Sequence, residues 1–285
     1  MPAAGLLLPT DFSVCAEAAY ATAARLAREQ GSELHLLHCL NVPTSFGGRH
    51  AEERSMLARA AQARKQAEQQ LYELSRLPVF AGAALRTVLG EGPLAAYIGA
   101  YAPEHGIELI VMGSHGSSGL NEMLIGSHTQ KVVRQAPCAV LVVKSPPETT
   151  AYHNVVFASS FEDEALPLFY ELLDFVERYE AHVHLLYIVR PGFFGENLME
   201  LRSAMDEFAA LCPRGRCSRH LFHADSLEGG LHTFLAAVHA DLLCMAHYGQ
   251  EPLRRLFQYS LTEAMVNHVD TPVLCLHGKR FPKTD

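Results

Sequence analysis

The sequence contains no uncharged apolar run of the roughly 18–20 residues that a spanning helix requires, which argues against a helical membrane protein. It begins Met1-Pro2-Ala3-Ala4-Gly5-Leu6, without the basic start of a signal peptide. Charge is sparse. Charged residues make up 19% against 49% hydrophobic, too little charge for a disordered chain and enough apolar material for sizeable cores. A basic excess is missing as well: the net charge is −8, which argues against a general nucleic-acid binder. The seven cysteines (Cys15, Cys39, Cys138, Cys212, Cys217, Cys244 and Cys275) are odd in number, and several sit in apolar runs such as Leu242-Leu243-Cys244-Met245. They fit reduced, buried thiols better than a disulfide framework. The expectation is a soluble, cytoplasmic protein, with two domains in its 285 residues.

The charge is unevenly placed. Residues 1–145 hold 12 basic and 12 acidic side chains, summing to zero, while residues 146–285 hold 11 and 19 and carry the whole −8. An anionic ligand is more welcome in the first half.

An internal repeat organises the chain. Leu34-His35-Leu36-Leu37-His38 resembles Val183-His184-Leu185-Leu186-Tyr187 at an offset of 149, which also aligns Asp11 with Ser160 and Phe12 with Phe161. Later, Leu109-Ile110-Val111-Met112 aligns with Leu242-Leu243-Cys244-Met245 at an offset of 133, which pairs Gly116 with Gly249, Ser127 with Ser260 and Thr129 with Thr262. The second copy is therefore 149 − 133 = 16 residues shorter between these anchors, and 43–80 is where the first copy holds the extra chain.

Each copy reads as alternating strands and helices. In the first, the apolar runs 5–9, 34–42, 84–89, 108–113 and 139–143 are nearly continuous, as expected of parallel strands buried on both faces. Helical patterns fall at about 14–30, 50–76, 93–105 and 120–135, with Ser13 a candidate N-cap for the first. Such alternation implies right-handed crossovers and a doubly wound sheet. A polar, Pro-containing stretch at 145–153 links domains expected at 1–145 and 152–280.

In sheets of this kind ligands bind beyond the carboxyl ends of the strands, near the switch in strand order. The loops there are Pro9-Thr10-Asp11-Phe12-Ser13, Met112-Gly113-Ser114-His115-Gly116, and Gly126-Ser127-His128-Thr129. Glycines allow close backbone approach to a phosphate, and a helix N-terminus supplies N–H donors with a favourable dipole. A tight strand-to-helix turn accounts for an isolated Gly-x-x-Gly equally well.

The spacing Gly113-x2-Gly116-x9-Gly126-Ser127 resembles the nucleotide-binding pattern of the universal stress protein family. Pro9-Thr10-Asp11-Phe12-Ser13, Gly90-Glu91-Gly92-Pro93 and Pro137-Cys138-Ala139-Val140-Leu141-Val142-Val143 resemble that family too, in the family's order. The resemblance implies a tandem member built of two Rossmann-like, adenine nucleotide alpha hydrolase-like α/β domains, each a mostly parallel five-stranded sheet. It also implies ATP as ligand, with or without Mg2+. Carried over by position, Asp11 would contact the adenine end, and Cys39, commonly a branched aliphatic in the family, would offer backbone groups to the base. Gly113 would lie by the ribose, and Gly116, Gly126, Ser127 and the His128 amide would hold the phosphates. Pro9, Thr10, Met112, His115 and Thr129 complete the candidate site. A turn-capping carboxylate is the other reading of Asp11, and turn packing that of His115.

The second copy breaks the pattern, with Ala246 for Gly113, Tyr259 for Gly126 and Ser160 for Asp11. Ala246 would obstruct positive φ if the position needs it, and Tyr259 would put a phenol where a phosphate passes. The expectation is ATP in the first copy alone.

Cys212-x4-Cys217 followed by His220 and His223 invites a zinc reading, but on one strand His220 and His223 point to opposite faces. A polar loop with buried thiols is the alternative, and no metal site is assigned. No local grouping marks a catalytic site, and the first-strand loop lacks the paired histidines typical of nucleotidyl-transferring relatives of this fold. A sensor or regulator is the reading, with a scaffold that binds no nucleotide and a slow ATP-hydrolysing or nucleotidyl-transferring enzyme as rivals. The last strands, 139–143 and 273–276, would otherwise be exposed apolar edges, so they are expected to pair within one chain, as single-domain members of the family pair between chains. Dimerisation of two whole chains is left open.

Overall fold

A computed structural model describes residues 5–40, 50–114, 126–145, 151–191, 196–247 and 252–278. Among these, ten strands alternate with helices as the sequence pattern requires. Spatial grouping divides the chain into two compact units, one running through Cys138 and the other from Ala139 onward.

In the first unit, β1 (Gly5–Pro9), β2 (Glu33–Leu40), β3 (Ala84–Glu91) and β4 (Ile107–Gly113) form a parallel sheet in the order β3-β2-β1-β4. The register places Leu6 beside Leu34 and Leu34 beside Leu85. Leu6, Leu7, Leu8, Leu34, Leu36, Leu37, Ile110 and Val111 are all buried, so consecutive residues on opposite faces are covered. That is why these strands read as continuous apolar runs.

The connections of this unit are α1 (Val14–Glu17), α2 (Tyr20–Gln30), α3 (His50–Ser75), α4 (Leu94–Glu104) and α5 (Ser127–Gln135). Ser13 caps α1 as expected, its hydroxyl accepting the Ala16 N–H at 3.2 Å. The single helix expected over 14–30 is instead interrupted at Ala18–Ala19, and α2 then ends on Gly31 in the left-handed conformation at φ 64. The part of the fourth helical pattern at 120–125 lies outside the described residues.

The second unit contains β5 (Ala139–Val143), β6 (Asn154–Ala158), β7 (His182–Val189), β8 (Cys217–His223), β9 (Leu242–His247) and β10 (Val273–His277), in the order β5-β10-β9-β6-β7-β8. Its helices are α6 (Leu166–Val176), α7 (Glu196–Leu211), α8 (Leu227–Ala237) and α9 (Pro252–His268). All of these strand pairs are parallel except one. The exception is β5 with β10, antiparallel, with Val142 opposite Val273, Leu141 opposite Leu274 and Val140 opposite Cys275. The strand that closes the first repeat thus groups with the second unit. The expected pairing of the two last strands is present.

The repeat extends to backbone detail. Phe12 and Phe161, aligned in sequence, both adopt positive φ, 62 and 57. In each loop the phenylalanine N–H donates to a hydroxyl two residues back, Thr10 at 2.9 Å and Ser159 at 3.0 Å.

No described helix is long and apolar enough to cross a membrane.

Candidate functional site

The strand order of the first unit reverses direction between β1 and β4, and their carboxyl ends bound a cleft of about 120 Å3. Pro9, Thr10, Asp11, Cys39, Met112, Gly113, Gly126, Ser127, His128 and Thr129 all line it. These are ten of the twelve candidate residues. The other two, His115 and Gly116, lie outside the described residues.

Each wall follows from local chemistry. Pro9 ends β1, and Thr10 behind it is buried, its hydroxyl 2.7 Å from the Tyr20 hydroxyl. Asp11 is exposed, and its Oδ1 accepts the Ser13 N–H at 3.1 Å. The turn-capping role is therefore real, and the same carboxylate still borders the cleft. Cys39 is half-buried, and burial pushes its thiol up to about 12, so at neutral pH it is an uncharged apolar filler. Across from it, Gly90 leaves room where a Cβ would stand 2.9 Å from both Cys39 Sγ and Tyr97. Gly92 follows at φ 95, which lets Pro93 start α4.

Gly113 shows why glycine ends β4. A Cβ there would lie 2.1 Å from the Cys15 carbonyl oxygen. The position does not need positive φ, since Gly113 is not among the positive-φ glycines. The requirement is close approach of β4 to α1. Beyond it, the Gly126 N–H donates to the Ser114 carbonyl at 2.9 Å, and the Thr129 hydroxyl donates to the Gly113 carbonyl at 3.0 Å. These two bonds aim the start of α5 at the end of β4. Gly126 is the N-cap and makes no side-chain cap bond, and Ser127 and His128 in the first turn are exposed. The first-turn amides of a helix lack intrahelical partners, and its dipole favours an anion there.

Sequence reasoning missed His38, Ala16 and Leu94, which also line the cleft. His38 Nδ1 lies 2.8 Å from the Thr10 carbonyl. A carbonyl only accepts, so Nδ1 carries the proton and Nε2 of the neutral ring is an acceptor. Its ring packs on Phe12, with centroids 4.6 Å apart. His38 precedes Cys39 near the end of β2 and is held at the cleft by Thr10 and Phe12, but no motif marked it.

The aligned positions of the second repeat are built differently. Tyr259 and Ser260 lie inside α9, which begins at Pro252, whereas Gly126 and Ser127 open a helix. The Tyr259 side chain and Gly249 lie outside the described residues. The hydroxyl of Thr262, aligned with Thr129, lies 2.8 Å from His247 Nε2. Phe161 is buried against Phe157 and Phe208, whereas Phe12 packs on a cleft histidine. A larger cavity of about 500 Å3 in this unit, lined by α8 and α9 residues including Glu228, His232 and His268, brings together no comparable set of loops.

The zinc candidates do not assemble. His220 turns toward Phe234 of α8, with Nε2 2.8 Å from the Ser218 hydroxyl and 3.2 Å from His184 Nδ1. Cys217 is on the other face of β8, and His223 is six residues further along it, about 20 Å away. No group of three or more His, Cys, Asp or Glu among the described residues is arranged to hold a metal ion.

Comparison with known proteins agrees with this architecture. Among curated proteins, the chain is 30% identical over 141 residues to a universal stress protein of Methanocaldococcus jannaschii, covering 50% of this chain and 82% of that one. It is 31% identical over 144 residues to one from Bacillus subtilis, covering 49% and 97%. Among solved structures, a universal stress protein from Archaeoglobus fulgidus shares the fold at a TM-score of 0.67 and 18% identity, covering 96% of this chain and 98% of that one. The family model described as "Universal stress protein family" matches twice, over residues 5–144 and 151–277. With both repeats accounted for in this way, the chain belongs to the universal stress protein family as a tandem member.

Proposed function

We propose that the first repeat binds an adenine nucleotide, ATP, and that the protein is a cytoplasmic stress-response sensor or regulator rather than a fast enzyme. The observation that carries this reading is the start of α5, whose N-cap Gly126 supplies no side-chain cap, opening on a cleft at the strand-order switch. In this reading the base lies toward Asp11 and the backbone at Cys39, and the ribose toward Gly113. The phosphates lie at Gly116, Gly126, Ser127 and the His128 amide. Mg2+ enters as a counter-ion of the phosphates, because Asp11 is the one acidic residue lining the described cleft. Among the described residues lining the cleft, none pairs a general base with an acceptor, which supports binding as the role of these groups. In the second repeat the aligned Tyr259 and Ser260 lie inside α9 rather than at its start, and we assign ATP to the first repeat alone.

Calorimetric titration with ATP tests both parts. One site per chain is expected, and Gly126→Tyr, which copies the second repeat's residue, should abolish binding with the fold retained. Two equivalent sites per chain, or unchanged affinity in the variant, would sink the assignment.

A further inference from the structure

Cys212-Pro213-Arg214-Gly215-Arg216-Cys217 joins the end of α7 to the start of β8 and has no part in the nucleotide reading. The Arg216 N–H donates to the Pro213 carbonyl at 3.1 Å, and Gly215 stands at φ 79. This is a type II turn, with glycine at the left-handed third position. A hydrogen-bonded four-residue turn reverses the chain and brings the residues on either side of it near one another. Cys212 and Cys217 are those flanking residues, with thiols near enough to shift each other's titration, and the Cys212 S–H donates to the Phe208 carbonyl at 3.9 Å. Both are free and half-buried, beneath the exposed residues Pro213, Arg214 and Gly215.

We propose that Cys212 and Cys217 form a thiol–disulfide exchange site that closes to an intramolecular disulfide by reducing a low-molecular-weight disulfide of the glutathione class. Cys212 gives its proton to solvent, and its thiolate attacks one sulfur of the small disulfide. A mixed disulfide forms on Cys212, and one small thiolate leaves and takes a proton from solvent. Cys217 then gives its proton to solvent, attacks the Cys212 sulfur and expels the second small thiol, which is protonated as it leaves. Two protein thiols are oxidised to one disulfide, and one small disulfide is reduced to two thiols.

The surroundings set the order of events. The neighbouring Cys217 holds the Cys212 thiol below its usual range, and Cys212 with burial pushes the Cys217 thiol up. Cys212 is the first nucleophile for that reason. Exposed Arg214 at the turn favours an anionic oxidant, while Arg216 pairs with Glu180 at 3.1 Å and Arg219 pairs with Asp206. The Val183 N–H donates to the Arg216 carbonyl at 2.8 Å, so the β8 end of the pair is already fixed by β7. Cys244 and Cys275 are buried with raised thiols and stay out of the exchange.

The test is to equilibrate the full chain with glutathione disulfide in excess over glutathione, alkylate the remaining thiols under denaturing conditions, and map the peptides by mass spectrometry. A linked Cys212–Cys217 peptide is expected, with Cys244 and Cys275 alkylated. In Cys217→Ser the glutathione adduct should be trapped on Cys212, and in the wild-type chain, acid-quenched at short times, the mixed disulfide should be found on Cys212 before any on Cys217. Free thiols at both positions in the wild-type chain, or disulfides joining either one to another cysteine or another chain, would overturn the site. Faster modification of Cys217 would overturn the order of attack. Neither outcome depends on whether ATP binds.

Discussion

At the scale of single residues, packing decides more of this protein than composition shows. Gly113 is needed because the Cys15 carbonyl occupies the place of a Cβ. Gly113→Ala should therefore displace the end of β4 from α1 and cost about 1–3 kcal/mol, read as a lower urea midpoint. An unchanged midpoint would mean that α1 yields freely. Two histidines of the second unit should set its acid sensitivity. Burial lowers His277 to about 4, and its Nε2 is buried without a hydrogen-bond partner. Burial first, then the neighbouring His182 and His220, lowers His184 to about 4. An imidazole in the unfolded chain titrates near 6.5 and takes up a proton before the folded one does. Stability from these groups is thus present above about pH 6.5 and lost as pH falls toward 4, by a few kcal/mol at most once partial exposure is allowed for. Urea midpoints measured from pH 7.5 to 4.5 should fall, and should fall less in His277→Leu. A flat profile would contradict the assignment.

At the scale of elements, the strands of the first repeat were legible because parallel strands covered on both faces leave unbroken apolar runs such as Leu6-Leu7-Leu8 and Leu109-Ile110-Val111. The cleft was legible because its glycines and hydroxyls sit at strand ends and a helix start. What escaped depends on contacts far apart in sequence. His38 reaches the cleft through its bond to Thr10, and the break at Ala18–Ala19 follows no proline or glycine. The start of α9 at Pro252 was also hidden, and it places Tyr259 and Ser260 inside the helix rather than at its start. The β5–β10 register gives a direct check. Val142→Cys with Val273→Cys should crosslink within a single chain, because those residues face each other across an antiparallel pair. Oxidised material should run at monomer mass on a non-reducing gel with the two peptides joined. Crosslinks found solely between chains would refute the pairing.

At the scale of the whole molecule, the two matches to one family and the shared loop geometry at Phe12 and Phe161 describe a duplicated unit whose copies have diverged in chemistry. The first keeps neutral charge and the cleft, while the second carries the −8 and the paired thiols. The grouping of β5 with the second unit has a practical consequence for dividing the gene. A product ending at residue 145 would keep Ala139-Val140-Leu141-Val142-Val143 but lose β10, leaving five buried apolar residues without their neighbour. Such a half-length product should self-associate as its concentration rises, which sedimentation would register, and addition of the separately made second half should suppress it. The boundary between the repeats in the sequence is therefore not the place at which the chain can be cut into two self-sufficient proteins.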